Sequence, residues 1–463
     1  MEPFLTRADH FQRPLPPLQA DAWIDPMNRG FEAGFDRWCV PAGAPHFELR
    51  GGWLYGGTRP PKDGSVIAER LRHRRSLPED ARIEAADRWL TVELPRWRER
   101  REALDDTDVA AAADGLSALL EARFAEVIIS TATSEWLLAA TDRGATEAEA
   151  VAALRLTGRE DLAVDGDLSM GTDVLAATTA ELVSGSTADD GADGVDSGAY
   201  AELSTDSDPG SVEGIDPAAA LLARLPDLAE TLPDARRAQH WREATHHELC
   251  CWVGCLRRRA LGRARQLGFA DPTAALFLTA TELTGGVLTP ELEALAAERR
   301  RTHDRFAAAP PPPTIGTPPS PPRLPPDVDP ALARLLRAVG YFVRQTAPTP
   351  GPPQIGAGRL DGVGAAPPDA TGPVRVIADV DDLHQLVDGE IIVCAFTSPG
   401  WEPAMRIAAA VVSDSGGLLS HTAVLARELG IPAVVGTKVA TGVLRTGQQV
   451  TVDGHAGVVR WHS

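Results

Sequence analysis

Between residues 307 and 326 the chain reads Ala-Ala-Ala-Pro-Pro-Pro-Pro-Thr-Ile-Gly-Thr-Pro-Pro-Ser-Pro-Pro-Arg-Leu-Pro-Pro, and no helix or sheet interior can run through it. Proline fixes φ, lacks an amide N–H and pushes the residue before it out of the helical region. The stretch reads as a polyproline spacer with linker work to do. It divides the chain into a long leading part and a short trailing part. A helix over about 330–345 and a second Pro/Gly tract over 347–373 follow, so 307–357 is expected to be a Pro-rich linker carrying a short helix.

The leading part, 1–306, opens on an aromatic-rich stretch and turns helical. Over 81–103, with a kink or restart at Pro95, and again over 106–140, apolar residues recur every three or four positions between charges. Over 164–216 that period disappears into Gly, Ser, Thr, Ala and Asp. From Glu160 to Asp216 there are fifteen acidic residues and no Lys or Arg. Such composition buries too little to order itself, and 184–214 is expected to be a disordered acidic insert. Helices resume near Pro217, the longest spanning 240–267 and stopping at Gly268.

The net charge of −20 argues against nucleic acid or an anionic membrane surface as a partner, although most of it sits in the one segment 160–216. Neither the N-terminus nor any apolar run reads as a signal peptide or a membrane span. Five cysteines without scaffold spacing fit a reducing compartment, so a soluble cytoplasmic protein is expected. His246, His247, Cys250, Cys251 and Cys255 crowd one predicted helix, where a spacing of four can put two ligands on a metal. A third ligand eight residues on lies about 12 Å along the axis, and no second pair completes a tetrahedron, so no metal site is expected.

The trailing part carries the chemistry. Strands are expected at 374–377, 390–396, 409–413, 433–436, 449–452 and 458–461, with Asp453-Gly454-His455-Ala456-Gly457 as a hairpin turn. Between the third and fourth lies Ser415-Gly416-Gly417-Leu418-Leu419-Ser420-His421-Thr422-Ala423-Val424-Leu425-Ala426-Arg427-Glu428-Leu429-Gly430-Ile431-Pro432. A glycine-rich turn thus enters a helix at His421 and is stopped by Gly430 and Pro432. Unpaired amides and the positive end of the helix dipole favour an anion there, so a phosphoryl group on the imidazole would find donors in place. Gly416 and Gly417 allow close backbone approach, Ser420 can cap the helix or donate to a phosphoryl oxygen, and Thr422 offers a second hydroxyl. Arg427, six residues on, is about 120° off the face of His421. It is either a structural ion-pair partner or, by bending back, a phosphate contact.

In order and spacing, Thr397-Ser398-Pro399-Gly400-Trp401-Glu402-Pro403-Ala404-Met405 followed by the Gly-Gly-x-x-Ser-His segment is similar to the mobile phosphohistidine domain of the phosphoenolpyruvate (PEP)-utilising enzymes. These include phosphoenolpyruvate synthase, pyruvate phosphate dikinase and rifampicin phosphotransferase. The resemblance covers roughly 358–463 and implies a swivelling α/β (β/β/α) domain. Its histidine would be phosphorylated at a nucleotide site and then carried to an acceptor. More weakly, His10-Phe11-Gln12-Arg13-Pro14-Leu15-Pro16-Pro17-Leu18, Gly52-Trp53-Leu54-Tyr55-Gly56 and residues 268–283 resemble the helical acceptor-binding region that precedes this domain in rifampicin-phosphotransferase-like proteins. Residues 362–369 depart from the family's usual pattern, and the 189–214 insert falls where relatives carry folded sequence. Neither a glycine-rich loop with its lysine, as in an ATP-grasp module, nor a PEP-binding barrel is visible.

The expected architecture is multidomain. A mainly α-helical acceptor-binding region, 1–306, is joined by the linker 307–357 to a phosphohistidine domain, 358–463. The expected function is a phosphotransferase component in which neutral His421 attacks phosphorus, since only an unprotonated imidazole nitrogen offers a lone pair and an ordinary imidazole pKa lies near ~6.5. ATP and Mg2+ are expected on an ATP-grasp partner in trans, with a small-molecule acceptor. The alternative is a non-catalytic family member that binds a hydrophobic small molecule.

Overall fold

The computed structural model describes residues 4–7, 14–59, 64–74, 78, 80–154, 217–309, 311–312, 314–316, 329–346, 353–378, 380–397 and 401–461. The acidic insert, most of the proline tract, residues 10–13 of the first front motif and Ser398 to Gly400 lie outside them.

Three helices organise the leading part. Helix α1 (Pro17–Arg37) begins on a proline, whose missing N–H costs nothing in a first turn. It buries Leu18, Met27, Phe31 and Phe35 beside α2 (Val109–Phe124). Helix α3 (Leu232–Leu267) runs 36 residues and ends at Gly268, which has a left-handed φ of 90°. Its Trp241 and Trp252 are fully buried. Trp252 packs on Gly115 of α2, where an added Cβ would stand 2.0 Å from the indole, so only glycine lets the two helices approach. The break expected at Pro95 appears just before it. Helix Ala81–Arg88 passes into one π-type turn, Trp89–Glu93, before Leu94–Glu102 continues.

Helical periodicity does not disclose a small antiparallel sheet of β1 (Leu5–Arg7), β2 (Ala44–Arg50), β3 (Trp53–Arg59) and β4 (Thr314–Ile315), in the order β2-β3-β1-β4. Strand β4 belongs to the proline tract. Thr314 and Ile315 carry the amides the neighbouring prolines lack, and an edge position tolerates prolines on either side. The carbonyl oxygens of Phe306, Pro311 and Pro312 accept hydrogen bonds from Trp53, Arg7 and Tyr55. This part of the expected spacer is therefore pinned to the helical region. The helix Pro330–Thr346 is likewise docked: Leu335 and Ala338 are buried, Arg337 pairs with Asp142 and the Tyr341 hydroxyl bonds Glu147.

The trailing part is a nine-stranded sheet in the order β5-β6-β13-β12-β8-β9-β10-β11-β7. Its strands are β5 (Ile355–Gly356), β6 (Arg359–Asp361), β7 (Val363–Ala366), β8 (Asp369–Val376), β9 (Ile391–Cys394), β10 (Ala410–Ser413), β11 (Ala433–Val435), β12 (Gln449–Asp453) and β13 (Val458–Arg460). Strands β8 to β11 run parallel, and the remaining pairs are antiparallel. The central strands are buried on both sides, hence their continuous Ile/Val/Cys sequences. Ile391 and Val393 face one apolar cluster, while Ile392 and Cys394 face another. Strands β6 and β7 occupy opposite sides of this order although one residue, Gly362, separates them. The Gly362 amide donates to the Gly457 carbonyl at 2.8 Å, and a Cβ on Gly364 would stand 2.6 Å from the carbonyl of His455.

One apolar cluster crosses between the two parts. It joins Trp136, Leu137, Leu221 and Tyr341 to Ala365, Ile392, Trp401, Leu418, Leu419 and Ala423. The helical region is thereby packed against the face of the sheet that carries His421.

Candidate functional site

The turn between β10 and helix α4 (His421–Leu429) is fixed from three sides. Leu418 and Leu419 are buried in the shared cluster and anchor its apolar end. The Asp414 carboxylate accepts the Thr441 amide at 3.1 Å and bonds the Thr441 and Thr437 hydroxyls, which ties the turn to the far loop. Burial raises the Asp414 pKa, and these hydrogen bonds oppose it. Gly416 has a φ of 110°, and a Cβ there would meet Ser420 Oγ at 2.8 Å. The glycine makes room for the helix cap: Ser420 Oγ accepts the Ala423 amide at 3.3 Å, and its carbonyl accepts the Val424 amide at 2.9 Å. Gly417 gives its carbonyl to the Ser420 amide at 2.9 Å. The amides of His421 and Thr422 then lead the helix. Thr422 is buried, and its hydroxyl shares a 2.8 Å hydrogen bond with Thr397.

The two nitrogens of His421 have different surroundings. Nδ1 is 3.3 Å from Glu243 Oε2 on α3, whereas Nε2 is shielded from solvent and has no hydrogen-bond partner among the described residues. The His421 side chain is 19% exposed, so it sits in a cleft rather than on an open turn. A buried nitrogen without a partner costs about 1–3 kcal/mol.

Helix α3 supplies the facing wall. Arg242 pairs with Glu243 at 2.7 Å, and the His246 ring centroid lies 6.0 Å from that of His421. Burial alone would raise the Glu243 pKa, but Arg242, the hydrogen bond from His421 and the fields of His421 and His246 outweigh it. The carboxyl is held well below its ordinary range. Arg123 of α2, bonded to Thr245 at 3.1 Å, has its pKa pushed down to about 10 by burial and the nearby Arg242. A carboxylate amid arginines and imidazoles is suited to hold a proton on one side of His421 while the surrounding positive field favours an anion.

Of the residues expected to hold phosphate, Gly416, Gly417, Ser420 and Thr422 lie in the turn and first helical residues flanking His421, with the Ser420 and Thr422 hydroxyls engaged by the Ala423 amide and the Thr397 hydroxyl, and Arg427 bonds backbone carbonyls. Its Nη1 donates to the Ala365 carbonyl at 3.0 Å and its Nη2 to the Leu418 carbonyl at 2.8 Å. Burial lowers its pKa to about 9, with Arg242 adding to the shift. The structure thus gives Arg427 a tying role in the backbone, because its guanidinium spans from β7 to the Leu418 carbonyl of the turn.

Glu243, Arg242 and His246 were absent from the expected site. The i,i+3 spacing of Glu243 and His246 places them on one face of α3, the one local signal that could have flagged them. In the Cys/His cluster, Cys250 Sγ lies 3.9 Å from His246 Nε2, and no group of three His, Cys, Asp or Glu among the described residues could hold a metal ion. Burial raises the pKa of these thiols, that of Cys251 to about 11, which leaves them as packing groups.

Residues 386–457 match the family described as PEP-utilising enzyme, mobile domain. Over 100 residues the chain is 51% identical to a probable phosphoenolpyruvate synthase of Archaeoglobus fulgidus, covering 22% of this chain and 13% of that protein. Over 184 residues it is 34% identical to the uncharacterized phosphotransferase YvkC of Bacillus subtilis, covering 40% of this chain and 20% of that one. The matched stretches are thus a fifth or less of these relatives' lengths. A solution structure of Enzyme I is 32% identical over 18% of this chain and 34% of its own, with a TM-score of 0.16, too low to bear on the fold.

Proposed function

We propose, for a chain whose residues 386–457 are a PEP-utilising enzyme mobile domain, that it is a phosphotransferase component in which His421 carries a phosphoryl group from a nucleotide site to an acceptor. The observation behind this reading is the asymmetry of His421: Nδ1 faces Glu243, and Nε2 is unpaired at the start of a helix. With the proton on Nδ1, the Nε2 lone pair is the nucleophile.

Charging forms the Nε2–P bond as the bond from the terminal phosphorus to its bridging oxygen breaks. The negative oxygens then lie against the leading amides of α4, with Ser420 and Thr422 beside them. The donor in this proposal is ATP with Mg2+ on an ATP-grasp module outside these 463 residues. The acceptor is a small molecule held by the helical region, and the phosphohistidine domain swivels between them.

The test is labelling with γ-phosphate-labelled ATP, with and without an ATP-grasp protein from the same organism. The expected result is an acid-labile, base-stable phosphate on His421 only when that protein is present. Stoichiometric labelling of the lone chain would remove the partner from the proposal. No labelling of His421 under any of these conditions would favour a binding protein instead.

A further inference from the structure

The partner of His421 Nδ1 does not come from its own domain. It comes from Glu243 on α3, 178 positions upstream, and reaches it only while the phosphohistidine domain rests on the helical region. We propose that Glu243 is a positioning residue for discharge: it keeps a proton on Nδ1 so that phosphorus leaves Nε2 from a protonated ring. This inference rests on His421 being the carrier and adds what the docked arrangement does to it.

The chemistry fixes which direction benefits. A phosphoimidazole protonated on Nδ1 expels a neutral imidazole, whereas without that proton the leaving group would be an imidazolate, a far stronger base. On discharge the Nε2–P bond breaks with its electron pair remaining on Nε2. A P–O bond forms to an acceptor hydroxyl, whose proton passes to bulk water. The proton on Nδ1 stays on the ring, facing Glu243, and the ring is left neutral. An ionised carboxylate at 3.3 Å favours the protonated ring throughout.

Other charged groups frame this pair. Arg242, His246 and His247 surround it on α3 and Arg123 on α2, while Arg427 of α4 acts on Glu243 only through its charge, from its place against the Ala365 and Leu418 carbonyls. Arg242 lies 2.7 Å from Oε1, the oxygen that Nδ1 does not use, so it keeps Glu243 ionised without occupying the His421 contact. The surrounding cations would by themselves disfavour a protonated phosphoimidazole. Glu243 is the acidic side chain against the ring that reverses this.

The test uses the full chain, charged chemically with phosphoramidate so that no donor protein is needed, and water as the acceptor. Phosphohistidine isomers and loss of phosphate are followed by 31P NMR from pH 6 to 10 for the unmutated chain, Glu243→Gln and Glu243→Ala, with His421→Ala as the blank. Glu243→Gln keeps an oxygen for Nδ1 but loses the charge, so the pH at which hydrolysis slows should fall by about one unit, making release about fivefold slower at the original midpoint and about tenfold slower well above it. Glu243→Ala should show the same shift and also admit phosphate to Nδ1, which Glu243 otherwise covers. Coincident pH profiles and isomer ratios in all three proteins would overturn the role given to Glu243 while leaving His421 as carrier. A blank that labels as well as the unmutated chain would overturn the carrier reading itself, and this inference with it.

Discussion

Arg427 donates to the Ala365 carbonyl at 3.0 Å, a bond that stitches the helix beginning at His421 to strand β7. Its second bond, to Leu418, closes the same turn from below. Arg427→Ala removes both buried hydrogen bonds and should cost about 2–4 kcal/mol in urea unfolding. Arg427→Lys should recover less than half, because one ammonium cannot span both acceptors as a planar fork does. Chemically charged His421 should still form in the folded fraction, since the guanidinium does not face the imidazole.

Gly416→Ala should damage the cap as well as the turn. Its Cβ would crowd Ser420 Oγ at a backbone conformation that L residues avoid, for a loss of about 1–3 kcal/mol. Ser420→Ala should lose only about 1 kcal/mol. A Gly416→Ala protein as stable as Ser420→Ala would show that the turn can rearrange. Thermal melts of the two variants decide it.

His421→Ala should abolish acid-labile labelling and change the melting temperature by no more than a few degrees. The ring gives up its contact with Glu243, but an unpaired buried nitrogen disappears with it. Parallel labelling and melting measurements check both halves.

Gly115→Ala is expected to be among the most destabilising single changes in the helical region, at about 3 kcal/mol or more. The added methyl must displace a fully buried indole. Pairing it with Trp252→Leu should return part of the loss, as a double-mutant cycle would reveal.

His247 gives stability a pH slope. Burial, reinforced by Arg98, lowers its pKa to about 4, against about 6.5 in an unfolded chain. Between those values the unfolded state binds more protons, so stability is fully present above about pH 6.5 and falls as the pH drops toward 4. His247→Gln should flatten that part of the urea-midpoint curve. An unchanged slope would assign it to other groups.

Much of this was legible in the residues. The long helix ending at Gly268 and the strands around 391–394, 410–413 and 433–435 follow from apolar runs and their stop signals, and the His421 turn stands out by its glycines and cap. Strands β5 to β7 were not legible, because Pro and Gly mark that tract as a spacer. The sheet needs glycine at 364 for backbone contact with the 453–457 hairpin, so the feature that hides the strand is the one that seats it. Glu243 was hidden for a different reason: its meeting with His421 is set by docking between distant segments, and no local period records that.

The sheet order has a mechanical corollary. Strands β6 and β7, one residue apart in the chain, lie near one margin and at the other, and Gly362 bonds across to the 453–457 hairpin. The β7 margin is thus tied back to the hairpin, while the short β5 stands at the other margin beside β6. A displacement of the imidazole that keeps β10 paired on both sides must carry the sheet with it, and the compliance that permits it has to be found outside the strands.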